Sequence, residues 1–122
     1  MLYSGAEVRQ VEKELHIGVL LDYYKKLLTE KQAECIEIYY NQDLSLYEIS
    51  QLLDISRQGV RDNIKRGEKQ LLVYEEMLGL AEKYEEIERC CDKIDEKLRT
   101  LQGKDTALEI AAYTDLIRKT IV

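Results

Sequence analysis

Ser56, Arg57, Gln58, Arg61, Lys65 and Lys69 are residue types that recognise nucleic acid, set at spacings that fit one side of a helix. Arginine pairs bidentately with guanine and glutamine with adenine, while serine and lysine reach phosphate oxygens. At about 100° per residue, Gln58, Arg61, Asp62, Lys65 and Lys69 point away from the apolar stripe of Val60, Ile64, Gly67 and Leu71. Ser56 and Arg57 sit at the N-terminal edge, the part of such a helix that meets base edges. Asp62 interrupts the strip. Between residues 44 and 70, Arg57, Arg61, Lys65, Arg66 and Lys69 outnumber Glu48, Asp54, Asp62 and Glu68 by one, within a chain of net charge −6. A non-specific grip on DNA takes several phosphate contacts, each releasing counterions, so a thin basic strip on an acidic body supplies few.

Other chemistries lack residues to carry them. There is no Gly-rich phosphate loop, no Cys/His or Ser/His/Asp arrangement and no metal-ligand spacing, so neither an enzyme nor a metal or other cofactor is expected. His16 stands alone and reads as a helix-surface residue, and Cys35, Cys90 and Cys91 fit core packing better than a disulfide or zinc site. No apolar run approaches the roughly 20 residues of a membrane span, and "MLYSGAEVRQ" lacks the layout of a secretory signal. A cytoplasmic location is expected.

The elements that must position the strip are all helices. With no proline in the chain, helix boundaries are written by caps and glycines. "TEKQ" (Thr29 to Gln32), "SLYE" (Ser45 to Glu48) and "TALE" (Thr106 to Glu109) each match the capping box, and Ser56 offers a fourth N-cap. The first helix, about residues 8–27, should bury Ile17, Leu20, Leu21, Tyr24 and Leu27, and the second, about 30–41, Ala33, Ile36 and Tyr40. A short third helix, about 46–53, and a fourth from Ser56 to about Leu78 form a helix-turn-helix at residues 44–67. Its shared core should be Ile49, Leu52, Leu53, Ile55, Val60 and Ile64, with Asp54 taking a left-handed turn position and Gly79 stopping the fourth helix.

From Val73 the apolar residues alternate spacings of four and three. Met77, Leu80, Tyr84, Ile87, Cys91, Ile94, Leu98 and Leu101 form a heptad seam that must face another helix, within the chain or in a second copy. After "QGKD" a last helix, about 106–121, carries Ile110, Tyr113, Ile117 and Ile121. The expected architecture is therefore all-α, with a helix-turn-helix domain at 8–79 and a C-terminal helical arm at 80–122 that serves either dimerisation, making the chain a homodimer, or partner binding. Two-fold pairing would space two recognition helices by about 34 Å or a multiple.

The stretch "LTEKQAECIEIYYNQDLSLYEISQLLDISRQGVRDNIKRGEKQLLVYEEMLGL", with "LLDYYKKL" ahead of it, resembles the YlxM family of small bacterial helix-turn-helix proteins over about residues 11–84. "LSLYEISQLLDIS" and "VRDNIKR" are similar to region 4 of sigma factors, which reads promoter −35 elements. The resemblance implies a winged-helix-like core of three to four helices and a non-enzymatic regulatory role. Family genes tend to lie beside those of the signal recognition particle, which implies DNA, or that particle's protein or RNA, as partner. Gly59 and Arg61 stand where the family pattern has Ala and Tyr, and Gly59 should loosen the helix by up to about 1 kcal/mol.

Overall fold

A computed structural model describes the backbone of residues 5–101 and 103–121, and the side chains of these from residue 13 onward. The described residues form six α-helices and a single 3-10 turn: α1 (Gly5–Tyr24), the 3-10 turn (Lys25–Leu27), α2 (Glu30–Asn41), α3 (Leu46–Leu53), α4 (Arg57–Leu78), α5 (Leu80–Leu98) and α6 (Lys104–Ile121). They fall into two compact units, residues 1–79 and residues 80–122.

In the first unit, α1 and α2 pack on α4 and on each other, and α3 closes against α4. Ile17, Leu20, Leu21 and Tyr24 of α1, Ala33, Cys35, Ile36 and Ile38 of α2, Ile49 of α3, and Val60, Ile64 and Leu71 of α4 form the core. Both early capping boxes are present. Thr29 Oγ1 accepts from the Gln32 amide at 3.2 Å while Gln32 Oε1 accepts from the Thr29 amide, and Ser45 and Glu48 do the same at 3.1 and 3.3 Å. Asp54 holds φ 55° and ψ 46°, a conformation that Asp tolerates better than most residues, and the chain turns there into α4. Gly67 is the close approach of α2 to α4, because a Cβ built there collides with Ile36 Cδ1.

Five sequence expectations need correction. Leu52 was assigned to the motif core but is 60% exposed. The inner face of α3 is centred on Ile49, Leu53 and Ser50 instead, since Ser50 can be buried once its hydroxyl donates to the Tyr47 carbonyl at 2.6 Å. Leu27 is exposed because α1 tightens to three residues per turn after Tyr24, which rotates it off the inner face. "TALE" is not a helix start: α6 begins at Lys104, the Ala107 amide bonds to the Gly103 carbonyl, and Thr106 lies inside the first turn. Cys90, expected in the core with Cys35 and Cys91, is exposed because it lies one residue off the face of α5 that buries Cys91; on α6 the buried residue is Thr114, with Tyr113 67% exposed.

The second unit is the α5–α6 hairpin. Arg118 reaches three carboxylates of α5, with Nε to Glu88 Oε1 at 2.9 Å, Nη2 to Asp92 Oδ1 at 3.0 Å and Nη1 to Asp95 Oδ2 at 2.8 Å. Thr114 Oγ1 donates to Asp95 at 2.8 Å. That hydrogen bond, and then the Arg118 guanidinium, hold the Asp95 carboxyl below the usual carboxylate range. The heptad seam is cut at Gly79, whose φ of 61° ends α4, so Val73 and Met77 lie on α4 and the rest on and just beyond α5. On α5 the seam divides into two rows. Cys91 and Leu98 are buried and Tyr84 is half-buried, whereas Leu80, Ile87, Ile94 and Leu101 remain exposed.

Candidate nucleic-acid interface

The exposed side of α4 is set by what caps and buries the other sides. Ser56 Oγ accepts from the Gly59 amide at 2.9 Å and fixes the first turn. Val60, Ile64, Gly67 and Leu71 are buried, Leu53 and Ile55 are half-buried beside the turn, and the opposite side carries Arg57, Gln58, Arg61, Lys65 and Lys69, all exposed. Ser56 is exposed at its N-terminal edge. The six sequence-selected residues therefore share one solvent-facing surface.

The acids of α4 are not distributed evenly around that surface. Tyr40 donates its hydroxyl to Glu68 Oε1, and Lys13 lies 3.7 Å from the other Glu68 oxygen. Tyr24 donates to Glu75 Oε1 at 2.6 Å. Two tyrosines from α1 and α2 thus draw the acids at 68 and 75 toward the core side. Burial, and then the Glu68 carboxylate, push the Tyr40 phenol well above its ordinary range, so it remains a donor at any physiological pH. Glu48 is engaged in its capping box. Among the described residues no ion pair involves Arg57, Arg61, Lys65, Arg66 or Lys69. Those five charges are not paired off as surface charges often are, and Asp62 is the one acid within the strip.

Two local contacts shape the surface further. Gln58 Nε2 donates to Asp62 Oδ1 at 3.0 Å, so Asp62 orients the glutamine one turn before it. The Arg57 guanidinium lies 5.3 Å from the ring centroid of Tyr47, which is itself exposed on α3. Sequence reasoning missed Tyr47 and Arg66. The first joins the surface only because α3 and α4 meet at the turn; the second lies about 180° from Arg57 on the helix, on the strip's far edge. Among the described residues, no group of three His, Cys, Asp or Glu side chains could hold a metal ion, and no helix is long and apolar enough to cross a membrane.

A family model described as "Putative helix-turn-helix protein, YlxM / p13 like" matches residues 11–111, which include the motif, all of α5 and nearly half of α6. The chain belongs to the UPF0122 family. The UPF0122 protein of Clostridium novyi is 43% identical over 112 residues, 92% of this chain and 97% of its own length. That of Thermoanaerobacter sp. strain X514 is 44% identical over 107 residues (88% and 92%), and that of Listeria innocua 42% over 87 residues (71% and 79%). The resemblance read from the motif residues is thus the family itself. UPF0122 is described as a helix-turn-helix family and not as an enzyme family.

Proposed function

We propose that this UPF0122 protein is a non-enzymatic, cytoplasmic regulatory protein that lays α4 in the major groove of duplex DNA. The observation that carries this reading is the set of five cations on α4 that make no ion pair among the described residues. Arg57, Gln58 and Arg61 are placed for base edges, Ser56 and Lys65 for the flanking backbone, and Lys69 and Arg66 for phosphates further along. Asp62 limits non-specific affinity by repelling phosphate, and through Gln58 it fixes a donor and acceptor pair suited to adenine.

The test is a fluorescence-anisotropy titration with a random duplex at 50 and 200 mM salt. On a random duplex, with no specific base contacts to make, all five cations engage phosphates, which corresponds to a log–log salt slope near −4.5 and a fall in affinity of up to about 500-fold across that range. Replacing Arg57, Arg61 and Lys65 together by Ala should reduce the slope by about 2.7. Absence of binding at micromolar protein and 50 mM salt, or binding without a salt slope, refutes the reading.

A second reading is a non-enzymatic adaptor that binds the protein or RNA of the signal recognition particle in place of duplex DNA. It is favoured by the net charge of −6, which suits docking on a basic ribonucleoprotein component. Co-purification from extract separates the two, and recovery of neither the particle's protein nor its RNA removes the second.

A further inference from the structure

The α5–α6 hairpin has two unlike sides. Measured around α5 from Cys91, which faces α6, Glu88, Asp95 and Asp92 lie to one side and Leu80, Ile87 and Ile94 to the other, while Leu101 lies beyond the helix and lines a cavity with Asp95, Ala111 and Arg118 on the polar side. Measured around α6 from Thr114, Arg118 lies to the side of those carboxylates, and Ile110, Tyr113 and Ile117 lie opposite. One side is therefore an ion-pair cluster and the other an apolar surface. Leu80, Ile87, Ile94, Tyr113 and Ile117 are 37–67% exposed, and Ile110 is half-buried.

We propose that this apolar side is the docking surface for a second copy of the chain, closing an antiparallel four-helix bundle in which α5 of each copy lies against α6 of the other. The hairpin alone is under-supplied with core. Among its described residues only Cys91, Leu98 and Thr114 are buried, too few to hold two helices of 19 and 18 residues. The seven-residue spacing of Leu80, Ile87 and Ile94, all exposed on α5, is the spacing of a row that packs on a further helix.

The surface is also large enough. Helices of this length extend about 28 Å, and a pair spans about 20 Å in width, giving about 560 Å² per copy. Two such faces bury about 1,100 Å², which reaches the roughly 1,000 Å² that a specific interface needs.

Charge selects both the partner and its direction. Lys97 and Glu109 are exposed at the outer rims of the apolar side, on α5 and α6 respectively, and neither makes an ion pair among the described residues. Counting from the Cys91–Thr114 level, Lys97 is six residues nearer the hairpin turn and Glu109 five, so the two stand within about 1.5 Å of the same height. A two-fold axis parallel to the helices preserves height and exchanges rims. It brings Lys97 of one copy beside Glu109 of the other, twice per dimer. An axis across the helices would instead stack α5 on α5 and place lysine rims together.

The experiment is sedimentation equilibrium of the full chain from 1 to 100 µM, with circular dichroism to confirm helix content. The wild type should have twice its 14.3 kDa chain mass at the upper end. Ile94→Glu should raise the dissociation constant at least about 100-fold with helix content retained, since both copies of an exposed anchor are lost. Lys97→Glu and Glu109→Lys should each weaken association by roughly threefold to tenfold, and the double exchange should restore it to within about twofold. A monomer at 100 µM, a dimer indifferent to Ile94→Glu, or a double exchange without recovery each overturns the proposal.

Discussion

Gly67→Ala tests how tightly α2 is set against the helix that carries the basic strip. Gly67 is buried in the middle of α4, where alanine should by propensity stabilise the helix by about 1 kcal/mol. The added Cβ, however, falls on Ile36 Cδ1 and sits 3.4 Å from both Ile36 Cγ1 and Gln32 Cβ. Ile36 is fully buried and stiff at χ1, so relief requires α2 to move or Ile36 to leave its rotamer, at about 1–3 kcal/mol. The net expectation is a loss of about 1 kcal/mol, or a Tm lower by roughly 4–8 °C for a unit of this size. Ile36→Val removes the colliding methyl and should cost about 0.5–1.5 kcal/mol alone. In the double variant the collision is gone, so the two substitutions should couple favourably by about 1–2 kcal/mol in urea unfolding. Additive behaviour, or a stabilising Gly67→Ala in the wild-type background, refutes the close-approach argument.

Ser56→Ala removes the acceptor for the Gly59 amide and should lower stability by about 1 kcal/mol, read from denaturant melts; an unchanged midpoint would mean that water caps α4 equally well. Tyr40→Phe leaves the partly buried Glu68 without its hydroxyl donor and should cost about 1.5–3 kcal/mol, whereas Tyr39→Phe serves as a control that leaves the Tyr40–Glu68 bond intact. Asp95 has a folded pKa below its ordinary value of 3.8, so its contribution is present above that value and disappears as pH falls through the lower folded one. Asp95→Asn should lower the Tm at pH 7 and narrow the gap to wild type progressively as pH falls below 3.8; curves that stay parallel from pH 7 to pH 2.5 would contradict the assigned cause.

Features that depend on neighbours within one or two turns can be read from residue types and spacing alone. Capping at Thr29, Ser45 and Ser56 fixed where α2, α3 and α4 begin, because a side-chain oxygen must satisfy amides three residues on. The stops at Asp54 and Gly79 were legible because few residues tolerate a left-handed backbone. The strip at 56–69 was legible because helical periodicity alone separates it from Val60, Ile64 and Leu71. Tertiary structure decided what depends on how helices are rotated against one another. A single hydroxyl bond to the Tyr47 carbonyl let Ser50 turn inward and left Leu52 outside, and the Thr114 and Arg118 contacts to Asp95 did the same to Tyr113. The fate of the acids beside the strip was equally non-local: Glu68 and Glu75 are drawn inward by tyrosines 28 and 51 residues away, and no spacing rule connects them. Local periodicity specifies which residues share a face, but the direction in which that face points follows from the packing and polar satisfaction of the assembled core.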